Sequence, residues 1–335
     1  MSTTSAFPAR YSVLSASALR DWLAATYDLP APVNCRLISL SLNDVYQVVA
    51  GDQRAYLRVY RHGWRTRDEI DAELALTRDL AESGVAVSTP FKDTNGDDVT
   101  QLTAAEGDRF VVLWTEAPGD DVRDITSDHA RQYGRLTATI HAATDERSVT
   151  YQRGCLDSAQ LIDEPMAAIR ASLPASDELT ELERIAGHVR ERLDALSRVS
   201  PEFGLCHGDL HPGNVRFAND GTLTLFDFDC CGYGWRGYDL AVFLWNIYGE
   251  RRPRRWRESR WRAFLRGYAQ VRPLPVDLDA QIVDFLIARQ IWLTGLDFAG
   301  KSGYPPQWVG PGLLRTTLAS IRGWQQEFMA RSDTT

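Results

Sequence analysis

His207-Gly208-Asp209-Leu210-His211-Pro212-Gly213-Asn214 is the stretch on which the reading of this chain turns. It sets an acid and an amide five positions apart on a segment that Gly208, Pro212 and Gly213 keep out of regular structure. A short apolar run, Leu223-Thr224-Leu225-Phe226, follows and ends at Asp227. The 18 positions from Asp209 to Asp227 suffice for a hairpin to fold back and aim both carboxylates at one point. The plainer alternative is that Asp209 and Asn214 merely cap turns.

These residue types in this order suit phosphoryl transfer. An acceptor hydroxyl must be held in line with the γ-phosphate of ATP and lose its proton as the new bond forms, which makes Asp209 the candidate catalytic base. A carboxylate beside a metal site stays ionised, so its work is mainly to orient. Asn214 offers a neutral carbonyl oxygen and Asp227 an anionic one, both suited to Mg²⁺. Asp229 shares a strand face with Asp227 if the extended run continues, and is then a further candidate metal ligand. Its alternative is a solvated loop carboxylate. Asp239, in Tyr238-Asp239-Leu240-Ala241, opens an apolar helix and is expected to brace the loop by accepting backbone N–H bonds. His207 and His211 read as hydrogen-bonders that order the loop rather than as bases.

Composition bounds the setting. A chain of 335 residues makes two domains or one two-lobed domain, and 44% hydrophobic residues are enough for a full core. No run of 18 uninterrupted apolar residues is present, so no membrane span is expected. A net charge of −8 speaks against general affinity for nucleic acid. Five cysteines at irregular spacing, with no export signal visible in Met1–Arg20, read as reduced thiols of a cytoplasmic protein.

The expected fold class is α+β. Residues 14–27 and 67–83 pattern as helices, the second stopping at Gly84. Strands are expected at 35–42, 45–49, 55–60, 99–103 and 109–114. This makes residues 1–117 a small antiparallel-sheet lobe with a hinge at 114–119, where Ala117-Pro118-Gly119 breaks the pattern. Residues 118–335 read as a mainly helical lobe carrying the loop 207–214 and the metal site 227–229. Helices are expected near 127–143, 159–171, 178–198, 236–248, 255–270, 276–298 and 311–330, with a single β-like stretch at 205–228.

Three features of the first lobe belong to the nucleotide. Glu73 lies in the apolar stripe of Ile70, Leu74, Thr77 and Leu80, so it needs a cation, and Arg58 on the third strand is the sensible one. Such a strand–helix ion pair would position phosphates; the alternative is a purely structural bridge. The hairpin turn 39–44 has no glycine, but Ser41 and Asn43 offer polar groups to phosphates. In the run Val111–Ala117, Thr115 and Ala117 are the candidates to pair with an adenine edge.

Taken together these residues resemble the aminoglycoside phosphotransferase/choline kinase superfamily, whose fold is bilobal and protein-kinase-like. The likeness rests on Arg58, Glu73, Ala117-Pro118-Gly119, His207–Asn214, Asp227 and Tyr238–Ala241. The runs 226–235 and 289–296 are most similar to the stress-response kinase and type II homoserine-kinase-like branch. The resemblance implies ATP, Mg²⁺ and transfer to a hydroxyl. Two positions depart from it: Arg58 stands where a lysine is expected, and Cys230 where another acid is expected. Only Lys92 and Lys301 are lysines among 37 basic residues. A small-molecule hydroxyl substrate is the expected acceptor, with a protein serine or threonine as runner-up and a non-catalytic nucleotide-binding module as the third reading. On helix 281–298, Arg289, Trp292 and Asp297 fall near one face and could grip a zwitterionic acceptor; a surface ion pair is the alternative. Cys206, Cys230 and Cys231 read as core thiols. The arginine-rich helix 251–266 reads as a solvated face, or else as a dock for something acidic.

Overall fold

The computed structural model describes residues 7–122, 124–147, 149–249, 252–302 and 306–332. It divides into two compact units. One is formed by the chain up to Arg78 together with Ser88–Ala117, the other by Asp79–Val87 together with Pro118 onward.

In the first unit helix α1 (Ala16–Thr26) precedes β1 (Val33–Leu40), β2 (Asn43–Ala50) and β3 (Gln53–Tyr60), followed by α2 (Arg67–Glu82), β4 (Thr100–Ala104) and β5 (Gly107–Thr115). The five strands form an antiparallel sheet in the order β1-β2-β3-β5-β4. Strand alternation divides its side chains between two faces. Tyr46, Val48, Leu57, Val111 and Leu113 bury against Leu19 and Leu23 of α1, while Tyr60, Val112 and Trp114 bury with Ile70 and Leu74 of α2. β1 ends at Leu40, with a register shift between Leu37 and Ser39, so the turn is Ser41-Leu42, and Asn43 belongs to β2 because it pairs with Tyr60 of β3. The expected six-residue turn 39–44 is therefore a two-residue one.

The second unit holds α3 (Ser127–Asp145), β6 (Cys155–Leu156), α4 (Glu164–Ser172), α5 (Asp177–Asp194), β7 (Phe203–Cys206), β8 (Val215–Phe217), β9 (Leu223–Leu225), β10 (Gly232–Trp235), α6 (Arg236–Gly249), α7 (Arg254–Ala269), α8 (Leu278–Phe298) and α9 (Pro311–Ser332). β8 and β9 form a hairpin, and β6-β10-β7 a small sheet. Neither β6 nor β10 was expected, because a two-residue strand and a four-residue one that is half glycine carry no readable alternation. The expected helix 159–171 is a π turn over Ala159–Asp163 running into α4. Pro165 explains the change, since it has no N–H for the α-helical ladder. Among the described residues no helix is long and apolar enough to cross a membrane.

Helix α6 is the centre of this unit: every residue from Arg236 to Leu244 is buried. α3 and α7 cross so closely that a Cβ at Gly134 would lie 1.9 Å from the Phe264 carbonyl oxygen, and one at Gly267 1.8 Å from that of Arg131. Replacing a helical glycine by alanine gains about 1 kcal/mol of propensity, whereas forcing atoms into a packed contact costs about 1–3 kcal/mol or more. Because the obstacle here is backbone, the contact should win. Gly134→Ala should lower the unfolding free energy by about 2 kcal/mol or more, read from urea denaturation.

Candidate active site

β7 ends at Cys206 and delivers His207, Gly208 and Asp209 to a loop that closes in a 3-10 turn over Pro212–Asn214 before β8. Gly208 has φ +80°, and a Cβ there would meet the Cys230 carbonyl oxygen at 2.1 Å, so both conformation and space require glycine. The loop hangs on Asp239 of α6, whose carboxylate is fully buried. Oδ2 accepts the His207 N–H at 2.7 Å, Oδ1 accepts the Gly208 N–H at 2.8 Å, and His141 Nε2 on α3 lies 3.0 Å from Oδ2. The bracing role expected for Asp239 is thus present in atomic detail.

Asp209 is surrounded by donors. Asn214 Nδ2 donates to its backbone carbonyl at 3.0 Å and to Oδ2 at 3.3 Å. Arg289 on α8 ion-pairs with Oδ1, and its Nη1 donates to the Gly208 carbonyl at 3.2 Å. His211 Nε2 stands 3.5 Å from Oδ2. Burial alone would raise the Asp209 pKa, but the charge of Arg289, followed by His211, holds it well below the usual carboxylate range. Burial likewise disfavours charge on His211, yet Asp209 outweighs it and raises that pKa. Burial lowers the pKa of His207; its Nδ1 accepts from Asp209 N–H at 3.2 Å and its Nε2 faces the Phe226 carbonyl at 3.2 Å. Both histidines order the loop, as their flanking positions suggested.

The β8–β9 hairpin brings Asp227 back to this loop. Its charge contributes to the raised pKa of His211, and Phe226 N–H donates to the Asn214 carbonyl at 3.0 Å. Asp227 adopts φ +67°, a left-handed conformation that costs a non-glycine residue about 1–3 kcal/mol and gathers at functional sites. Residues 228–230 then form a 3-10 turn, so the extended run does not continue and strand alternation does not set Asp229 beside Asp227. Asp229 is 2% exposed, which corrects the solvated alternative, and its carbonyl accepts from Arg153. With the Asn214 amide nitrogen given to Asp209, its oxygen is the atom left for a ligand. Together with the Asp227 carboxylate this makes an all-oxygen donor set, which fits Mg²⁺.

Arg289, Trp292 and Asp297 do not form the expected grip. Arg289 is buried on Asp209 and stacks with its guanidinium carbon 4.8 Å from the Trp292 ring centre and 5.7 Å from that of Trp245. Asp297 accepts from Ser302, and no ion pair joins it to Arg289 among the described residues.

In the first unit Arg58 Nη1 meets Glu73 Oε1 at 2.6 Å, with both side chains buried. The Tyr60 hydroxyl donates to Glu73 Oε2 at 3.0 Å, and the Trp114 ring lies 4.9 Å from the guanidinium carbon of Arg58. Ser41 is exposed in the turn, whereas Asn43 is 7% exposed because it faces inward from β2. Thr115 N–H donates to the Thr89 carbonyl at 2.9 Å, and Thr115 Oγ1 accepts from Thr89 N–H at 2.9 Å, so its N–H is already engaged; Ala117 is buried.

Two residues escaped the sequence reading. His141 carried a signal, a polar side chain on the buried stripe of α3 that had to find a partner. Arg153 carried none; it is buried, and its Nε donates to the Cys231 carbonyl at 2.9 Å. The cysteines are free thiols, with Cys206, Cys230 and Cys231 buried. Among the described residues the grouping within metal-ligand reach is His141, Cys206 and Asp239, and its histidine and carboxylate already bind each other.

Residues 35–274 match the family described as the phosphotransferase enzyme family. An uncharacterized protein of Deinococcus radiodurans is 36% identical over 322 residues, which is 96% of this chain and 93% of that one. Amicoumacin kinase of Bacillus subtilis is 27% identical over 271 residues, 78% of this chain and 79% of its own. A solved structure of amicoumacin kinase in complex with AMP-PNP, Ca²⁺ and Ami matches with a TM-score of 0.77 over 93% of each chain at 23% identity. The fold is thereby the expected kinase-like α+β arrangement, with an antiparallel sheet first and helices after.

Two measurements test these interactions. Glu73→Gln leaves the buried Arg58 without its counter-charge and should cost about 3 kcal/mol in unfolding free energy; a loss below about 1 kcal/mol would mean that solvent reaches the pair. For His141, burial first and the Arg236 charge second bring the pKa down to about 4, against the pull of Asp239. The unfolded chain protonates near the ordinary value of 6.5 while the folded one resists, so this stability is full above 6.5 and is lost as pH falls toward 4. Urea unfolding at stepped pH should show that decline, and His141→Gln should flatten it.

Proposed function

The chain belongs to the phosphotransferase enzyme family, and from that premise we propose that it moves the γ-phosphate of ATP to a hydroxyl of a small molecule. The observation that carries this reading is the grouping at Asp209. Its carboxylate is fixed by Arg289 and by the Asn214 amide, on a loop that the charge of Asp227 also reaches. A named relative, amicoumacin kinase, has a small molecule in its name, and this favours a small acceptor over a protein one.

In this reading Asp209 accepts the hydrogen bond of the acceptor hydroxyl and turns its oxygen toward the phosphorus. With its pKa held low, the carboxylate orients the hydroxyl throughout and takes up the proton only as the bond to phosphorus forms. Arg289 fixes the rotamer. Asp239 keeps the two peptides before Asp209 from moving, so the reacting geometry is set before the acceptor arrives. Asn214 and Asp227 would hold Mg²⁺, which when bound screens the charge on the phosphate oxygens. Arg58, held by Glu73, is read as the cation for the nucleotide's phosphates, and residues 1–117 with the hinge at 114–119 as the nucleotide lobe. A cytoplasmic location, where ATP is supplied and free thiols stay reduced, goes with this reading.

Asp209→Asn keeps the shape but removes the orienting charge. Turnover should fall by about 10²–10⁴-fold, while AMP-PNP affinity measured by calorimetry stays within about twofold. A variant that phosphorylates as fast as the wild type would exclude this mechanism.

A further inference from the structure

A cavity of about 310 Å³ lies within the second unit among α6, α7, α8 and α9. Trp245, Tyr248 and Trp324 wall it with aromatic surface, and Arg257, Gln290 and Glu327 supply its polar atoms. That volume is at the small end of pockets that enclose metabolite- or drug-sized molecules.

Two observations indicate that it receives something. Gly323 lies in the interior of α9 and lines the cavity, although a Cβ at that position would meet nothing within 4 Å. Packing does not demand a glycine there, and glycine weakens a helix interior. What the missing side chain provides is room. The second observation is Arg257. Its Nη1 donates to the Arg252 carbonyl at 2.8 Å and its Nη2 to Glu327 at 3.0 Å, and the guanidinium lies 4.7 Å from the Tyr248 ring centre. Among the described residues its buried Nε has no hydrogen-bond partner. Guanidinium Nε always carries a proton, so the cavity presents a donor that an oxygen of an incoming molecule would satisfy.

One wall of the cavity is shared with the surroundings of Asp209. Trp245 is one of its walls, with Nε1 donating to Gln290 at 3.0 Å, and the same ring flanks Arg289, which pairs with Asp209. Among the described residues the cations beside the cavity and its Trp245 wall include Arg254, Arg257 and Arg289. Glu327, the acid in the lining among the described residues, is already paired with Arg257 and Arg254. The surroundings therefore disfavour a cationic guest and suit a flat one that stacks.

We propose that this cavity holds the body of the phosphate acceptor, and that the acceptor is a planar aromatic compound bearing a carboxylate or carbonyl oxygen for Arg257. Assigning the occupant as acceptor rests on the phosphotransferase reading; the cavity's preference for such a guest does not.

Calorimetry with two matched probes, 2-naphthoate and the 2-naphthylmethylammonium ion, reads the preference directly. Naphthoate should bind at least tenfold more tightly than the ammonium probe. Gly323→Leu, which fills the cavity without lowering the melting temperature, should weaken naphthoate at least tenfold, as should Arg257→Met. Tighter binding of the ammonium probe, or unchanged naphthoate affinity in Gly323→Leu, overturns the assignment. In ATP-turnover assays 3-phenyllactate should show a kcat/KM at least tenfold above those of L-homoserine and kanamycin, and Gly323→Leu should raise its KM while leaving the KM for ATP unchanged. Any other ranking, or no turnover of 3-phenyllactate, overturns the acceptor role. Asp209→Asn separates the two readings: it should keep naphthoate binding and lose turnover. Turnover surviving in that variant removes the mechanism and leaves the cavity result standing.

Discussion

One buried carboxylate organises the second unit. Asp239 enters the interior on α6, where desolvating an acid is costly unless each oxygen finds a donor. Its partners are two consecutive peptide N–H groups of the loop 207–214 and a histidine from α3. His141 in turn meets the Tyr268 hydroxyl on α7 through Nδ1 at 2.9 Å. A single charge thus ties α3, α6, α7 and the loop after β7 together. Removing it would leave several buried donors unsatisfied at once, so the arrangement is cooperative and not a sum of separate bonds.

The electrostatics at Asp209 follow from this rigidity. A reactive carboxylate on a mobile loop would be solvated, with a pKa near its ordinary value. Here the loop is pinned, Arg289 approaches from α8 between two tryptophans, and the acid stays ionised inside the protein. The left-handed backbone at Asp227 fits the same pattern. Strain is tolerated where the surrounding structure over-determines the conformation, and the short hairpin between β8 and β9 supplies that support.

Much of this was legible in the sequence because it is local. The loop 207–214, the hairpin leading to Asp227 and the helix opening with Asp239 each carry their signal within a few residues. The Arg58–Glu73 pair could be read at a separation of 15 because a charge in an apolar stripe demands a partner. What escaped depends on pairing across long stretches of chain. Arg289 lies 80 residues from Asp209, and nothing in helix periodicity says that it turns toward that carboxylate and not toward a ligand beside Asp297. The short strands β6 and β10 form because each finds a partner, not because their residues favour a strand. Asn43 sits in the sheet and not in the turn because it pairs with Tyr60 of β3, a partner 17 positions away that no local turn signal marks.

The cation held by Glu73 is a guanidinium, and this bears on how the protein would behave in chemical proteomics. Reagents that tag nucleotide sites by acylating a nearby amine would find no amine at Arg58. The chain's two lysines, Lys92 and Lys301, are both exposed, and the Lys92 amine is bonded to the Gly96 carbonyl. Acylation would mark those surface positions. A survey that recognises nucleotide sites by a protected lysine would therefore find no such lysine at this position, however abundant the protein was.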